Sequence, residues 1–140
     1  MTIKVKLTAD ISRPIELAYT VATNVAQLGQ WAQIKAVRKI SSQPVKVGTT
    51  FQILSHLGGE DRLIDCKVTV LEPNRKFVYV SGGLASSEVV VDLRPAARSC
   101  TLTYTVSVKI NPFIEPLIKG EIEQRARADL ARLVKLIEAS

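Results

Sequence analysis

Few side chains in this sequence offer chemistry. His56, the only histidine, lies five residues before Asp61, and a His–Asp pair is the arrangement of a general base and its orienter. No nucleophile sits near it, so the pair reads as a surface contact at a hairpin end. Arg62 follows directly. Its planar guanidinium could clamp a ligand carboxylate or phenolate; the alternatives are that it snorkels into solvent or pairs with a carboxylate such as Glu121. Tyr79 and Tyr104 can donate hydrogen bonds to a ligand carbonyl, the polarisation that cyclase or dehydratase chemistry uses. They can equally be amphipathic core residues with satisfied hydroxyls. Glu121, Arg125 and Asp129 recur at helical spacing and read as a solvated salt-bridge ladder, with Glu121 or Arg125 as a cavity edge the alternative. Cys66 and Cys100 form no CxxC and no metal spacing. There is no P-loop, no GxGxxG and no GxSxG. No metal and no cofactor is expected, and the catalytic residues, if any, are not identified by these motifs.

The chain that must position these groups has 140 residues, 46% of them hydrophobic, enough for one domain over 1–140 with a core that needs no staples. Its formal charge of +6 invites a nucleic-acid reading, but the excess is local. Lys35, Arg38, Lys39 and Lys46 fall between residues 31 and 50 with no acid among them, whereas 51–80 and 111–140 balance. Four charges with Trp31 as the only aromatic make neither a phosphate footprint nor a stacking series, so a nucleic-acid partner is not expected. The basic stretch could instead dock an acidic partner or a membrane surface. No run approaches the ~18–20 apolar residues of a spanning helix. The alternating start Ile3-Lys4-Val5-Lys6 is no signal peptide, so a cytoplasmic location is expected.

Periodicity gives the elements. Ile3, Val5, Leu7, Ala9 and Ile11 alternate as a half-buried strand. Ser12 offers an N-cap, and Leu17, Val21 and Val25 an apolar stripe for one or two short helices ending near Gly29 and Trp31. Residues 35–110 read as strands joined by short turns, hence antiparallel hairpins. Residues 112–138 read as a helix about 40 Å long. Its stripe is Ile114, Ile118, Ile122, Ala126, Leu130, Leu133 and Ile137.

Register then selects an inner face. A turn at Gly58-Gly59 pairs Phe51 with Cys66, Ile53 with Ile64 and Ser55 with Arg62. A turn at Asn74-Arg75 pairs Val70 with Tyr79 and Val68 with Ser81, bringing Phe77 to the same face. A turn at Pro95-Ala96-Ala97 pairs Leu93 with Cys100, Val91 with Leu102 and Val89 with Tyr104. Turning Val89 and Val91 inward requires an odd-length loop near Gly82–Leu84. The expected ligand wall is thus Phe51, Ile53, Ser55, Arg62, Ile64 and Phe77, continued by Tyr79, Val89, Leu102 and Tyr104. Ile118 and Ile122 of the helix complete it. Arg62 and two tyrosines in a solid core would each need partners, at ~1–3 kcal/mol per unpaired group, which favours a cavity.

The element order, with Ile11-Ser12-Arg13-Pro14-Ile15-Glu16-Leu17-Ala18-Tyr19, Trp31, Val45-Lys46-Val47-Gly48-Thr49-Thr50-Phe51 and Val70-Leu71-Glu72-Pro73-Asn74-Arg75-Lys76-Phe77, resembles the START-like (SRPBCC) superfamily. That superfamily includes polyketide cyclase/dehydrase-like proteins and the birch-pollen-allergen group. The resemblance implies an α+β helix-grip fold: a seven-stranded antiparallel sheet curled around the long C-terminal helix, with two short helices after strand 1. It implies an apolar ligand cavity between sheet and helix, while the family's functions range from lipid carriage to cyclisation. In its strand order Cys66 and Cys100 lie three strands apart, about 14 Å, so both should be free thiols. Trp31 should plug one end of the cavity.

The leading expectation is binding or carriage of a small hydrophobic or aromatic ligand, lipid or polyketide-like. The alternatives are a polyketide cyclase/dehydratase-like enzyme using Tyr79, Tyr104 and Arg62, or a docking module using residues 35–46. The chain is expected to be a monomer or a homodimer, the latter through Leu54 and Leu63 on the outer face.

Overall fold

Alternation over Thr2–Ile11 builds the first strand, β1, with Ile3, Val5 and Ile11 buried, Leu7 and Ala9 half-buried and every residue between them exposed. The structure is a computed structural model describing residues 2–57, 59–82 and 86–140. After β1 come α1 (Ile15–Ala22), a short 3-10 helix (Val25–Gln30) and β2 (Ala36–Arg38). Then follow β3 (Thr50–Leu57), β4 (Glu60–Glu72), β5 (Lys76–Ser81), β6 (Ser86–Pro95), β7 (Cys100–Lys109) and α2 (Glu115–Glu138). The strands form one antiparallel sheet in the order β1-β7-β6-β5-β4-β3-β2, and α2 packs on its inner face. This is the helix-grip fold.

The β3–β4 hairpin has the expected register, with Phe51 opposite Cys66, Ile53 opposite Ile64 and Ser55 opposite Arg62. The next hairpin does not. Glu72 faces Lys76 across Pro73-Asn74-Arg75, and Asn74 takes φ 59°, a left-handed conformation that asparagine tolerates. A bulge between Val68 and Val70 absorbs the extra residue, so Val68 faces Tyr79 and Val70 faces Val78. Val70 therefore leaves the inner face, and Leu71, opposite Phe77, replaces it. Between β6 and β7 the pairing is displaced by two residues: Leu93 faces Leu102, Val91 faces Tyr104 and Val89 faces Val106. An even displacement leaves every side chain on its face. Val89 and Val91 do point inward, opposite Tyr79 and Phe77. The loop invoked for that at Gly82–Leu84 lies partly outside the described residues.

The helical segments also depart from expectation. Ser12 does not cap α1, which starts after Pro14; its N–H instead donates to Glu138 Oε2 at 3.0 Å. α1 buries Ala18 and Ala22 rather than Leu17, and these small faces let it sit close to α2. α2 begins at Glu115 rather than 112, because Asn111–Ile114 is spent in turns where the Phe113 N–H donates to Asn111 Oδ1 at 3.0 Å. Gly120 has open space where a Cβ would stand, so no close approach explains it.

The segment from Ser12 to Gln33 runs back along α2 from its C-terminal end. Arg13 donates to the Glu138 carbonyl at 2.8 Å, Arg132 Nε to the Trp31 carbonyl at 2.8 Å, and the Gln33 N–H to Asp129 Oδ1 at 3.1 Å. Under this cover Leu133 and Ile137 are completely buried. Toward the N-terminal end of α2 the cover stops.

Candidate functional site

Where the cover stops, sheet and helix enclose a cavity of ≈ 170 Å³. Ile53, Ser55 and Ile64 line it from β3 and β4, Tyr79 and Val89 from β5 and β6, and Tyr104 from β7. Ile118 and Ile122 line it from α2. The inner-face register accounts for the first six, since alternate residues of neighbouring strands must point the same way. Phe51, Phe77 and Leu102 do not border it. They lie in the solid core beneath, where both phenylalanine rings pack on Tyr79 at centroid distances of 5.5 and 5.7 Å. Larger hollows of ≈ 460 Å³ beside Lys39 and Lys67, ≈ 530 Å³ between α1 and the Gln43–Pro44 segment, and ≈ 470 Å³ beside Lys35 and His56 are surface grooves whose polar residues are mostly exposed.

Arg62 is also outside the cavity. Although it faces Ser55 across the hairpin, its guanidinium turns to Glu60 Oε2 at 3.1 Å and stays partly in solvent. Register fixes the face of a residue; at a strand end it does not fix where a long side chain goes. Glu121, the other partner considered for it, instead faces Arg125 at 3.4 Å. Arg125 also donates to the His56 carbonyl at 3.0 Å and stands at the cavity wall. His56 and Asp61 pair at 2.7 Å on the surface, and Lys35 shares Asp61 at 2.8 Å. Hydrogen bonds from Lys35 and His56 hold the Asp61 carboxyl below its ordinary range. Lys35, one of the basic stretch, is thus already paired.

The residue that the sequence does not reveal as a site residue is Asp129. It is only 6% exposed and lines the cavity. Its Oδ1 accepts from the Gln33 N–H and from Arg132, whose guanidinium makes a close contact. Oδ2 has no hydrogen-bond partner among the described residues, which leaves it for whatever enters the cavity. Burial pushes the carboxyl up to about 6, against the pull of Arg132 and the Gln33 N–H. At the spacing of Glu121 and Arg125 it looks like a rung of a surface ladder. The contrary signal is its place in the series Ala126, Asp129, Leu130 and Leu133, the buried face of α2.

Three hydroxyls join that carboxylate. Ser55, Tyr79 and Tyr104 are all buried, all line the cavity, and none has a hydrogen-bond partner among the described residues. Burial, reinforced by Asp129, holds both phenols well above their ordinary range, so they remain protonated donors at neutral pH. Ser81 and Ser87, also on the wall, satisfy one another through a close hydroxyl contact. Trp31, expected to plug the cavity, is not among its lining residues; it is fully buried, edge-on to Tyr104 at 6.0 Å, and its Nε1 has no hydrogen-bond partner among the described residues. Both cysteines are buried free thiols, and burial pushes Cys66 up to about 12, so it is an inert core residue. No cluster of metal-ligating side chains occurs among the described residues.

Residues 2–138 match the sequence family described as polyketide cyclase / dehydrase and lipid transport. The chain belongs to that family. Its structural relatives include the Zhui aromatase/cyclase from Streptomyces sp. R1128, with a TM-score of 0.81 at 14% identity over 99% of this chain and 94% of that one. The di-domain ARO/CYC StfQ from the steffimycin biosynthetic pathway gives 0.78 at 13% identity, over 99% of this chain and 50% of StfQ. Ara h 8.0201 gives 0.76 at 9% identity, over the whole of both chains. This polyketide cyclase/dehydrase family member thus spans half the length of StfQ. At such identities the likeness to solved structures is one of fold. No curated protein matches the sequence, and among the described residues no helix is long and apolar enough to cross a membrane.

Proposed function

We propose that this protein binds a small hydrophobic or aromatic molecule in the cavity between sheet and α2. The observation that carries this reading is that the hydroxyls of Ser55, Tyr79 and Tyr104 share one largely apolar cavity wall and have no hydrogen-bond partner among the described residues. A few polar groups converging on an apolar space are what fixes the orientation of a small guest. Ile53, Ile64, Val89, Ile118 and Ile122 supply apolar contact, and the hydroxyls orient a polar end. The lipid-transport part of the family description and the aromatase/cyclase relatives are in keeping with such a guest. Native mass spectrometry of gently purified protein, with thermal shifts across a lipid and aromatic polyketide panel, tests it. A co-purifying small molecule or a shift of several degrees is expected. A ligand-free spectrum together with no shift across the panel overturns the reading.

Asp129 favours a second reading, proton transfer on a polyketide-like substrate. A carboxyl at about 6, on the same wall as two phenol donors, can accept a proton near neutral pH while Tyr104 polarises a carbonyl. Turnover of an aromatic polyketide mimic, lost in Asp129→Asn and reduced in Tyr104→Phe, supports this reading. Tight binding without turnover returns the protein to carriage.

A further inference from the structure

We infer that Asp129 makes the cavity selective for neutral ligands whose buried end carries a hydroxyl donor, and selective against ligands ending in a carboxylate. This rests on the binding reading above and specifies its ligand class. Of the two arginines nearby, Arg125 stands on the wall and turns its Nη2 to the His56 carbonyl and Glu121, while Arg132 lies outside the lining and donates to Asp129 and the Trp31 carbonyl. Arg62, the cation that would have welcomed an acid, points away to Glu60.

The wall also carries an acceptor and three hydroxyls that no protein group engages among the described residues. Asp129 Oδ2 can accept a ligand O–H, and Ser55, Tyr79 and Tyr104 can either donate or accept. A ligand carboxylate brought to the same wall would meet a like charge. A phenol would donate its O–H to Oδ2 in a charge-assisted hydrogen bond.

Calorimetric titration of the intact protein at pH 7.5 with 2-naphthol, 2-naphthoate and naphthalene tests the inference. The first two differ in the group they present; naphthalene lacks both. The naphthol is expected to bind at least about tenfold more tightly than either companion, the span of one charge-assisted hydrogen bond. Naphthoate binding as tightly as naphthol overturns the inference and leaves cavity binding standing. Failure of all three to bind overturns both.

Two variants place the effect on the residue. Asp129→Asn is expected to bring naphthol and naphthoate within about threefold of each other, by admitting the acid. Arg62→Gln, at a residue that points away from the cavity to Glu60, is expected to leave the gap as in wild type. A gap unchanged in folded Asp129→Asn, or lost in Arg62→Gln, overturns the assignment to Asp129.

Discussion

The two halves of α2 carry similar residues and meet different surroundings. From Leu130 to Ile137 the helix lies under α1 and the 3-10 helix, and Leu133 and Ile137 have no exposed surface. From Ile118 to Ala126 the same kind of stripe faces a cavity. Isoleucine stands on both sides of the divide, so residue type does not decide between packing and lining. The extent of the cover does. The Ser12–Gln33 segment is anchored to α2 at Glu138, Arg132 and Asp129, and the cavity begins where that series of anchors ends.

Truncation should separate the halves most sharply. Leu133→Ala is expected to cost about 3 kcal/mol, because it opens a void in a solid core. Ile122→Ala should cost about 1 kcal/mol or less, because its side chain already borders empty space, and it should weaken ligand binding where Leu133→Ala does not. Urea denaturation and calorimetry of both variants read this, and equal losses of stability would break the comparison.

Asp129 sits at the boundary, and its effect should appear as a pH dependence. Its carboxyl rises from 3.8 to about 6 on folding, so between these values the folded chain holds a proton that the unfolded chain has released. The corresponding stability is complete below about pH 4 and is lost as pH rises through about 6. Asp129→Asn should flatten that slope in denaturation midpoints measured from pH 4 to 8. A slope as steep as wild type would move the titration to another group.

Smaller effects sharpen the picture on the open half. Gly120→Ala, on a helical turn with open space for the new methyl, should add about 0.7 kcal/mol without changing ligand affinity. At the solvent-exposed Lys35–Asp61–His56 cluster, Asp61→Asn should leave the denaturation midpoint unchanged within error at pH 7.

Much of this architecture is legible in the sequence, and the misses have physical causes. Alternation in β3 and β4 fixes the Phe51–Cys66 and Ser55–Arg62 pairs because a one-residue slip would expose a whole apolar face. The Val68–Val70 bulge leaves no such trace: Thr69 is as ordinary a strand residue as its neighbours, and only the hydrogen bonding shows it as the inserted one. The two-residue displacement of β6 on β7 is invisible to periodicity, since it preserves both faces. Arg62 and Asp129 are exchanged for the same kind of reason. Pattern places a charged residue on a face, whereas the partners that turn it inward or outward come from distant segments: Glu60 for one, Gln33 and Arg132 for the other.

The order of the strands also bears on how the chain reaches this state. β2 through β7 follow one another as neighbours, each able to pair with the segment just made. β1 is different: Thr2 lies opposite Lys109, so the first strand has no partner until the seventh exists. During synthesis it waits while more than ninety residues emerge, and closing so long a loop costs entropy that the local hairpins never face. The N-terminal strand is therefore the last piece of the sheet to dock. Until it does, β7 is left as an open template edge on which a second, unfinished molecule could pair.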